Sequence, residues 1–359
     1  MLKQPLLLHI NHTVFLRDDV LVMVDRRYLP GRIEEVSARS YEEVAEAIEG
    51  MIVQGAGDIA ITAGYGLYLA ARDVEKDPTA SQETVLQYLE KARQRLVRTR
   101  PTGHHLAALL NKMVKEVDWE KGRCADQLLE SVELAIEKQQ RRSELTGRWA
   151  SEVLENGDTI LTHCFPGAAL LYMLCLGRDQ GKEIKVVAGE TRPYLQGARL
   201  TAWSVAQLGI PVTLITDNMA AYCMNEGMVN KVFTAADRIA MDGTVANKVG
   251  TFQLALVARY HQVPFYVLGY GGPDRNCASG GDIPIEVRDP QEVLCFNGVR
   301  ITGDNVKGFY PAFDLTPPQM VEEIITDRGR FIPYHIHRYW KTRPEEINGS
   351  GGVSQARSF

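Results

Sequence analysis

The chain has 359 residues, more than one core usually supports, so two domains are expected. Hydrophobic residues make up 45% and charged residues 24%, the balance of a soluble globular protein. A net charge of −5 without a dense basic run argues against a phosphate-tracking nucleic-acid groove. No stretch approaches the roughly 20 consecutive apolar residues that span a bilayer. The first eight residues hold one Lys and a short apolar run broken by Pro5, with no small-residue cleavage site, and do not read as a secretory signal. Six cysteines (Cys124, Cys164, Cys175, Cys223, Cys277, Cys295) are scattered without a Cys-x-x-Cys pair, so the chain reads as reduced and cytoplasmic.

Residues 13–24 alternate around Arg17-Asp18-Asp19 and predict a β-hairpin. Ser40 opens a helix: Glu43 completes a capping box, and Tyr41, Val44, Ala45, Ile48 and Ile52 repeat at helical spacing. The small-residue run 56–71 after Gly55-Ala56-Gly57 predicts a closely packed helix. Val85, Leu89, Ala92 and Leu96 form a further stripe that ends near Arg100-Pro101, and another helix is expected over 125–142. The expected division is a mostly helical N-terminal domain over 1–143 and a second domain over 144–359.

After Asn156-Gly157 the period changes. Strand-like runs at 159–162, 184–188, 212–216, 232–235 and 264–268 alternate with helical segments at 167–176, 196–208, 219–228 and 246–261. This spacing predicts an α/β, doubly wound, Rossmann-like parallel sheet. The polar tail beyond Asn348 is expected to fray. Each strand ends in polar residues: His163-Cys164, then Glu190-Thr191-Arg192, then Asp217-Asn218, then Asp237-Arg238. In an open α/β sheet these loops converge on the ligand crevice.

Cys164 would stand where strand passes to helix, and a helix N-terminus lowers a thiol's pKa. The competing reading is a small buried hydrophobe, which is taken for Cys124, Cys175, Cys223 and Cys295. Asp237 could be held ionised by Arg238, or could simply brace a loop. Asp217-Asn218 reads as structural or as a sugar-hydroxyl ligand. Asn247-Lys248, expected to open a helix after Gly243, could bind phosphate, as could Arg100 and the Gly55-Ala56-Gly57 backbone. No Gly-x-Gly-x-x-Gly follows a strand and no cluster has metal-ligand spacing, so neither a dinucleotide cofactor nor a metal is expected.

Several segments together resemble the family of methylthioribose-1-phosphate isomerases, ribose-1,5-bisphosphate isomerases and the regulatory subunits of a translation-initiation nucleotide exchange factor. They are Arg27-Tyr28-Leu29-Pro30, Gln54-Gly55-Ala56-Gly57-Asp58-Ile59-Ala60, Arg100-Pro101-Thr102 and Thr162-His163-Cys164. The longest runs from Glu190-Thr191-Arg192-Pro193 through Tyr194-Leu195-Gln196-Gly197 to Ala198-Arg199-Leu200-Thr201. Leu214-Ile215-Thr216-Asp217-Asn218-Met219, Ala236-Asp237-Arg238-Ile239-Ala240, Val245-Ala246-Asn247-Lys248-Val249-Gly250-Thr251 and Pro311-Ala312-Phe313-Asp314-Leu315-Thr316-Pro317 follow.

The resemblance implies a homodimeric, cofactor-free isomerase of an aldose 1-phosphate, with catalytic Cys164 and Asp237. It puts substrate ligands on Gln54, Gly55, Ala56, Arg100, Gln196, Asn247 and Lys248. The isomerases typically read Arg-Gly-Ala-Pro where this chain has Gln54-Gly55-Ala56-Gly57, and Cys-Asn-Ala-Gly where it has Cys164-Phe165-Pro166-Gly167. The first change removes a positive charge from the expected phosphate site. The implied reaction converts 5-methylthioribose 1-phosphate to 5-methylthioribulose 1-phosphate. 5-Deoxyribose 1-phosphate or another pentose 1-phosphate is the alternative substrate, and a non-catalytic sugar-phosphate- or nucleotide-sensing subunit is the alternative class. A cysteine hydrolase would need His163 as base, yet on a continuing strand His163 points away from Cys164.

Overall fold

The computed structural model describes residues 4–100 and 104–343. Pro101, Thr102 and the tail beyond Asn348 lie outside them. Strands β1 (Val14–Arg17), β2 (Val20–Val24) and β3 (Glu35–Ala38) form an antiparallel sheet, so the expected hairpin gains a third strand. Helix α1 (Tyr41–Glu49) starts as predicted, with Ser40 accepting the Glu43 N–H at 3.2 Å. The reciprocal half of the capping box differs: the Glu43 carboxylate accepts the Arg39 N–H instead, at 2.6 Å.

Helices α2 (Ala56–Val74), α3 (Gln82–Arg98) and α4 (His104–Lys115) follow. α2 is the central one, and Ile61, Ala63, Leu67 and Leu69 vanish into a core shared with Val44, Leu89, Leu96 and Leu110. Its small residues permit this: a side chain at Gly66 would press on Leu96 and Val44 at about 3 Å. Helix α5 (Cys124–Ser151) runs well past the predicted end and through residue 143. Leu128 and Val132 on its first half belong to the helical core, while Ala150 on its last turn joins the core of the following sheet.

That sheet follows from the strand-helix alternation. β4 (Thr159–Thr162), α6 (Ala168–Asp179), β5 (Lys185–Gly189), α7 (Trp203–Gln207), β6 (Val212–Ile215), α8 (Ala220–Asn225) and β7 (Lys231–Ala235) come first. Two predicted helices begin with tighter or wider turns: Gly197–Ala202 is a π-type turn leading into α7, and Asp217–Met219 is a 3-10 turn before α8. After β7 the chain departs further from expectation. β8 (Arg238–Ile239) and β9 (Val245–Lys248) pair antiparallel, and α9 (Thr251–Tyr260) starts only afterwards. Asn247 and Lys248 are therefore strand residues, buried, and not the exposed opening of a helix.

β10 (Phe265–Tyr270), α10 (Gln291–Leu294), the small ladder β11 (Cys295–Phe296) with β12 (Val299–Arg300), β13 (Phe313–Thr316), β14 (Glu323–Thr326) and β15 (Gly329–Phe331) complete the chain. The seven-stranded sheet has the order β15-β14-β10-β7-β4-β5-β6, parallel throughout except for β15. A second sheet, β13-β9-β8, is antiparallel. The main sheet is apolar on both faces, as a parallel sheet must be: Ile160, Val186 and Phe233 face one core, and Leu161, Val187 and Val232 the other.

Candidate active site

The strand order reverses between β4 and β7, which lie side by side in register Leu161↔Val232 and Thr162↔Phe233. From β4 the chain winds outward to β5 and β6, then returns to start β7 and winds the other way. Ligands of open α/β sheets bind at the carboxyl ends of the strands at such a switch point. Cys164 follows β4 and Asp237 follows β7, so the fold sets the two residues across this divide.

Cys164 has a left-handed backbone, φ 59°, which costs a non-glycine residue about 1–3 kcal/mol. Two threonines hold it there. Thr191 Oγ1 accepts the Cys164 N–H at 2.8 Å, and the Thr201 hydroxyl donates to its carbonyl at 2.5 Å. Thr191 is itself left-handed, φ 66°, and is held by Asp217, whose carboxylate accepts the N–H groups of Thr191 at 2.8 Å and Arg192 at 2.7 Å. Asp217 thus takes the structural role that its sequence left open.

The thiol's electrostatics reverse the expectation. Burial pushes Cys164 up to about 11; the Lys248 ammonium opposes this and Asp237 reinforces it. Helix α6 does not rescue it, because its first residue is Ala168, beyond the Gly167 cap. Desolvation wins over a helix dipole that acts only within its first turn. Cys164 keeps part of its surface accessible, and at neutral pH it is a thiol.

Asp237 is anchored by its N–H on the Ala246 carbonyl at 2.9 Å. Arg238 does not hold it ionised: that guanidinium turns to Asp274, at 2.6 Å. Burial raises the Asp237 carboxyl, against the pull of Lys248 and Arg288. Lys248 is buried on β9, its ammonium 4.9 Å from the Phe313 ring and 5.8 Å from the Tyr310 ring. Burial and Arg288 lower it, opposed by whatever negative charge Cys164 and Asp237 carry. Register Phe313↔Lys248 continues into residues 310–312, which pair with 286–288. That pairing delivers Arg288, which sequence reasoning missed.

Arg100 reaches the same group from the helical half. Its guanidinium donates to the Ile48 carbonyl at 3.2 Å, touches the Met51 sulfur, and lies 3.8 Å from Glu286. Gln54 is buried, its amide N–H on the Met51 carbonyl at 3.2 Å and its Oε1 unpartnered. Gly55 caps α2 with φ 101°, leaving Gly55 and Ala56 exposed at that helix's N-terminus. Gln196 is buried with Oε1 unpartnered, and Asn247 donates to Thr251 Oγ1 at 2.9 Å. Cys164, Asp237 and Lys248 thus influence one another electrostatically, Arg100 meets the site through Glu286 and Arg288, and Gln54 and Arg100 share Met51. Among the described contacts, none joins Gln196, Asn247, Gly55 or Ala56 to Cys164 or Asp237; the Asn247 side chain turns to Thr251.

Tyr194, Tyr310, Glu286 and Arg288 were not singled out. The one signal was alternation: Glu286 and Arg288 interleave with Ile285 and Val287, charges on one face of an extended segment. His163 turns its ring from the thiol to the Val249 carbonyl, 2.9 Å, and to Thr191, 3.4 Å. It borders a cavity of about 20 Å³ with Gly189, Asp217, Gly250 and Gln253, separate from the thiol and carboxyl. Among the described residues no group of three or more His, Cys, Asp or Glu could hold a metal ion.

A doubly wound α/β sheet preceded by a helical unit, with a thiol, a carboxyl and buried cations at the switch point, defines a small-ligand α/β protein. The chain belongs to the Initiation factor 2 subunit family, whose model matches residues 52–333. It is 41% identical over 325 residues to a methylthioribose-1-phosphate isomerase of Thermosipho melanesiensis, covering 88% of this chain and 93% of that protein. It is 40% identical over 337 residues to the enzyme of that name from Pelotomaculum thermopropionicum, covering 90% and 92%. Among solved structures, 5-methylthioribose 1-phosphate isomerase from Pyrococcus horikoshii OT3 superposes with a TM-score of 0.78 at 37% identity, over 92% of this chain and 94% of that one. Translation initiation factor eIF-2B subunit delta from A. fulgidus superposes at 0.77 and 36%, over 92% and 99%.

Proposed function

We propose that the protein is an aldose–ketose isomerase that converts 5-methylthioribose 1-phosphate to 5-methylthioribulose 1-phosphate. The observation that carries this reading is the pairing of Cys164 and Asp237 across the switch point, both with raised pKa, among buried cations. Relatives with the isomerase name align over about nine-tenths of the chain. A purely sensing subunit has no use for a carboxyl raised by burial across the switch point from a thiol.

Phosphate on C1 locks the sugar ring closed. Asp237 donates its proton to the ring oxygen and the bond from that oxygen to C1 breaks, leaving positive charge on C1. A hydride passes from C2 to C1, and the C2 hydroxyl yields its proton to the carboxylate that Asp237 has become. One proton is given and one recovered, so the products balance. The neutral Cys164 suits this route, because a thiolate would trap the cation at C1. An enediol route, with Cys164 removing the C2 proton, would need the thiol ionised against the burial that raises it.

The remaining expectations belong to the same reading. Leu214 on edge strand β6, with Met219, Tyr222 and Met228 around α8, leaves exposed apolar surface, which supports a homodimer covering it. No helix among the described residues is long and apolar enough to cross a membrane; a cytoplasmic location and a reaction without cofactor, metal or nucleic acid belong to the same proposal. The test is product formation by NMR from methylthioribose 1-phosphate and 5-deoxyribose 1-phosphate side by side, with Asp237→Asn as control. Turnover of the first, lost in the variant, is expected. Preference for the second moves the substrate, and silence on both with ligand binding intact moves the protein to the sensing class.

A further inference from the structure

Two buried guanidinium groups, far apart in sequence, share a single carboxylate at the site. Arg100 follows the end of α3, and Arg288 belongs to the segment that pairs with residues 310–312, its N–H donating to the Tyr310 carbonyl while the Glu286 carbonyl accepts from Ala312. Glu286 accepts from Arg288 Nε at 2.9 Å and stands 3.8 Å from Arg100. Their side chains are only 12% and 14% exposed. One carboxylate cannot satisfy two forks of five donors each. Arg288 Nη1 and Arg100 Nε are accordingly buried without a partner, and so is the Tyr310 hydroxyl next to them.

A buried charged donor left unpaired is among the costlier defects a protein carries. Here the charges also oppose each other: burial and the Arg288 charge both depress Arg100. An anion with several acceptor oxygens removes both penalties at once, and a planar guanidinium fork fits phosphate oxygens in pairs. Position fixes which part of a ligand would sit there. Arg288 donates its backbone N–H to the Tyr310 carbonyl, the Tyr310 ring lies 5.8 Å from the Lys248 ammonium, and Glu286 links Arg288 to Arg100 on the other side. The Arg288 guanidinium lies 5.5 Å from the Tyr194 ring, whose hydroxyl donates to Glu292. The group Arg288 holds is thus next to the reacting carbons, as a phosphate on C1 must be.

We propose that Arg288 is a further ligand of the substrate phosphate, joining Arg100, on which the family resemblance already places a substrate contact, and supplying the positive charge that Gln54 does not carry. Only the identity of the sugar rests on the isomerase reading; the dianion site stands on the two arginines. Glu286 fills part of the fork in the free protein and gives it up when phosphate enters. This two-arginine clamp also explains how a chain with glutamine at position 54 can recognise a phosphorylated sugar.

The experiment is calorimetric titration of inorganic phosphate into wild-type protein and into Arg288→Gln and Arg288→Lys, with melting curves to establish folding. Charge-assisted donors of this kind are worth about 10- to 100-fold in affinity, so Arg288→Gln should lose at least tenfold and Arg288→Lys an intermediate amount. In turnover, Arg288→Gln should raise KM for methylthioribose 1-phosphate by more than it lowers kcat. Should Arg288→Gln not fold, wild-type protein is treated with phenylglyoxal, and inorganic phosphate should shield Arg288 and Arg100 from modification by mass spectrometry. Unchanged phosphate affinity in the folded variants, or no shielding of Arg288, overturns the proposal. Phosphate binding that depends on Arg288 without any wild-type turnover keeps the clamp and rejects the isomerase reading.

Discussion

Thr191 accepts the backbone N–H of Cys164 at 2.8 Å, so the loop after β5 fixes the residue that ends β4. The bond stabilises a left-handed cysteine that would otherwise relax toward extended backbone and turn its thiol elsewhere. Thr191→Val removes the acceptor while keeping the shape. Its kcat should fall about tenfold, equivalent to ~1.4 kcal/mol, with KM within about twofold. Thr191→Ser, which keeps the hydroxyl, should restore the rate; a Ser variant as slow as Val would assign the effect to packing.

Burial holds the Cys164 thiol near 11. Alkylation by iodoacetamide, mapped to Cys164 by mass spectrometry, should therefore rise about tenfold per pH unit from 7 to 9 without levelling, whereas an ordinary thiol near pKa ~8.5 already bends over. Lys248 is the chief group opposing that rise. Lys248→Met should slow alkylation further at every pH; acceleration would contradict the assignment.

Asp237 ties activity to stability with opposite signs. Its carboxyl is raised by burial, so the folded chain keeps a proton that the unfolded chain releases near pH ~4. The contribution is complete below that pH and is lost as pH climbs through the raised native value. Asp237→Asn cannot ionise, so its Tm should gain on the wild type as pH rises from 4 to 8. Its kcat should drop by about 100-fold or more, the range of a lost general acid. A Tm difference that stays flat with pH would remove the buried-acid account.

A hydride shift keeps the migrating hydrogen out of solvent. Turnover in deuterium oxide should therefore give product without deuterium at C1. Incorporation approaching one atom per turnover would return the C2 proton to Cys164 and an enediol.

At Gly197 the backbone crosses that of Gly189 so closely that a Cβ would sit 1.7 Å from the Gly189 carbonyl oxygen. The backbone fixes both the Cβ position and the carbonyl oxygen, so neither can rotate away. Gly197→Ala should cost at least ~3 kcal/mol and disturb Gln196 and the Glu190–Arg192 loop. A thermal midpoint within a degree or two of wild type would show that the turn can shift.

Much of the candidate site could be located from sequence because it follows strand periodicity. Apolar runs ending in polar residues at Cys164 and Asp237 say where a parallel sheet exposes chemistry, and the alternation of strand and helix says that the sheet is parallel. The sequence also determined the helical first half, through stripes such as Val85, Leu89, Ala92 and Leu96, all buried together.

Only tertiary structure decided the electrostatics. Whether Asp237 meets Arg238 or Lys248 depends on β8 and β9 folding back as a hairpin, which hides the predicted helix start and points Arg238 at Asp274. Whether Cys164 is thiolate or thiol depends on how many atoms surround it, which no local pattern records. Arg288 was invisible for the same reason: it enters through pairing of 286–288 with 310–312 and of β13 with β9, long-range ladders whose partners lie in distant parts of the chain. Local propensity sets the elements and their ends; desolvation and charge pairing, which fix protonation and ligand preference, arise only when those ends meet.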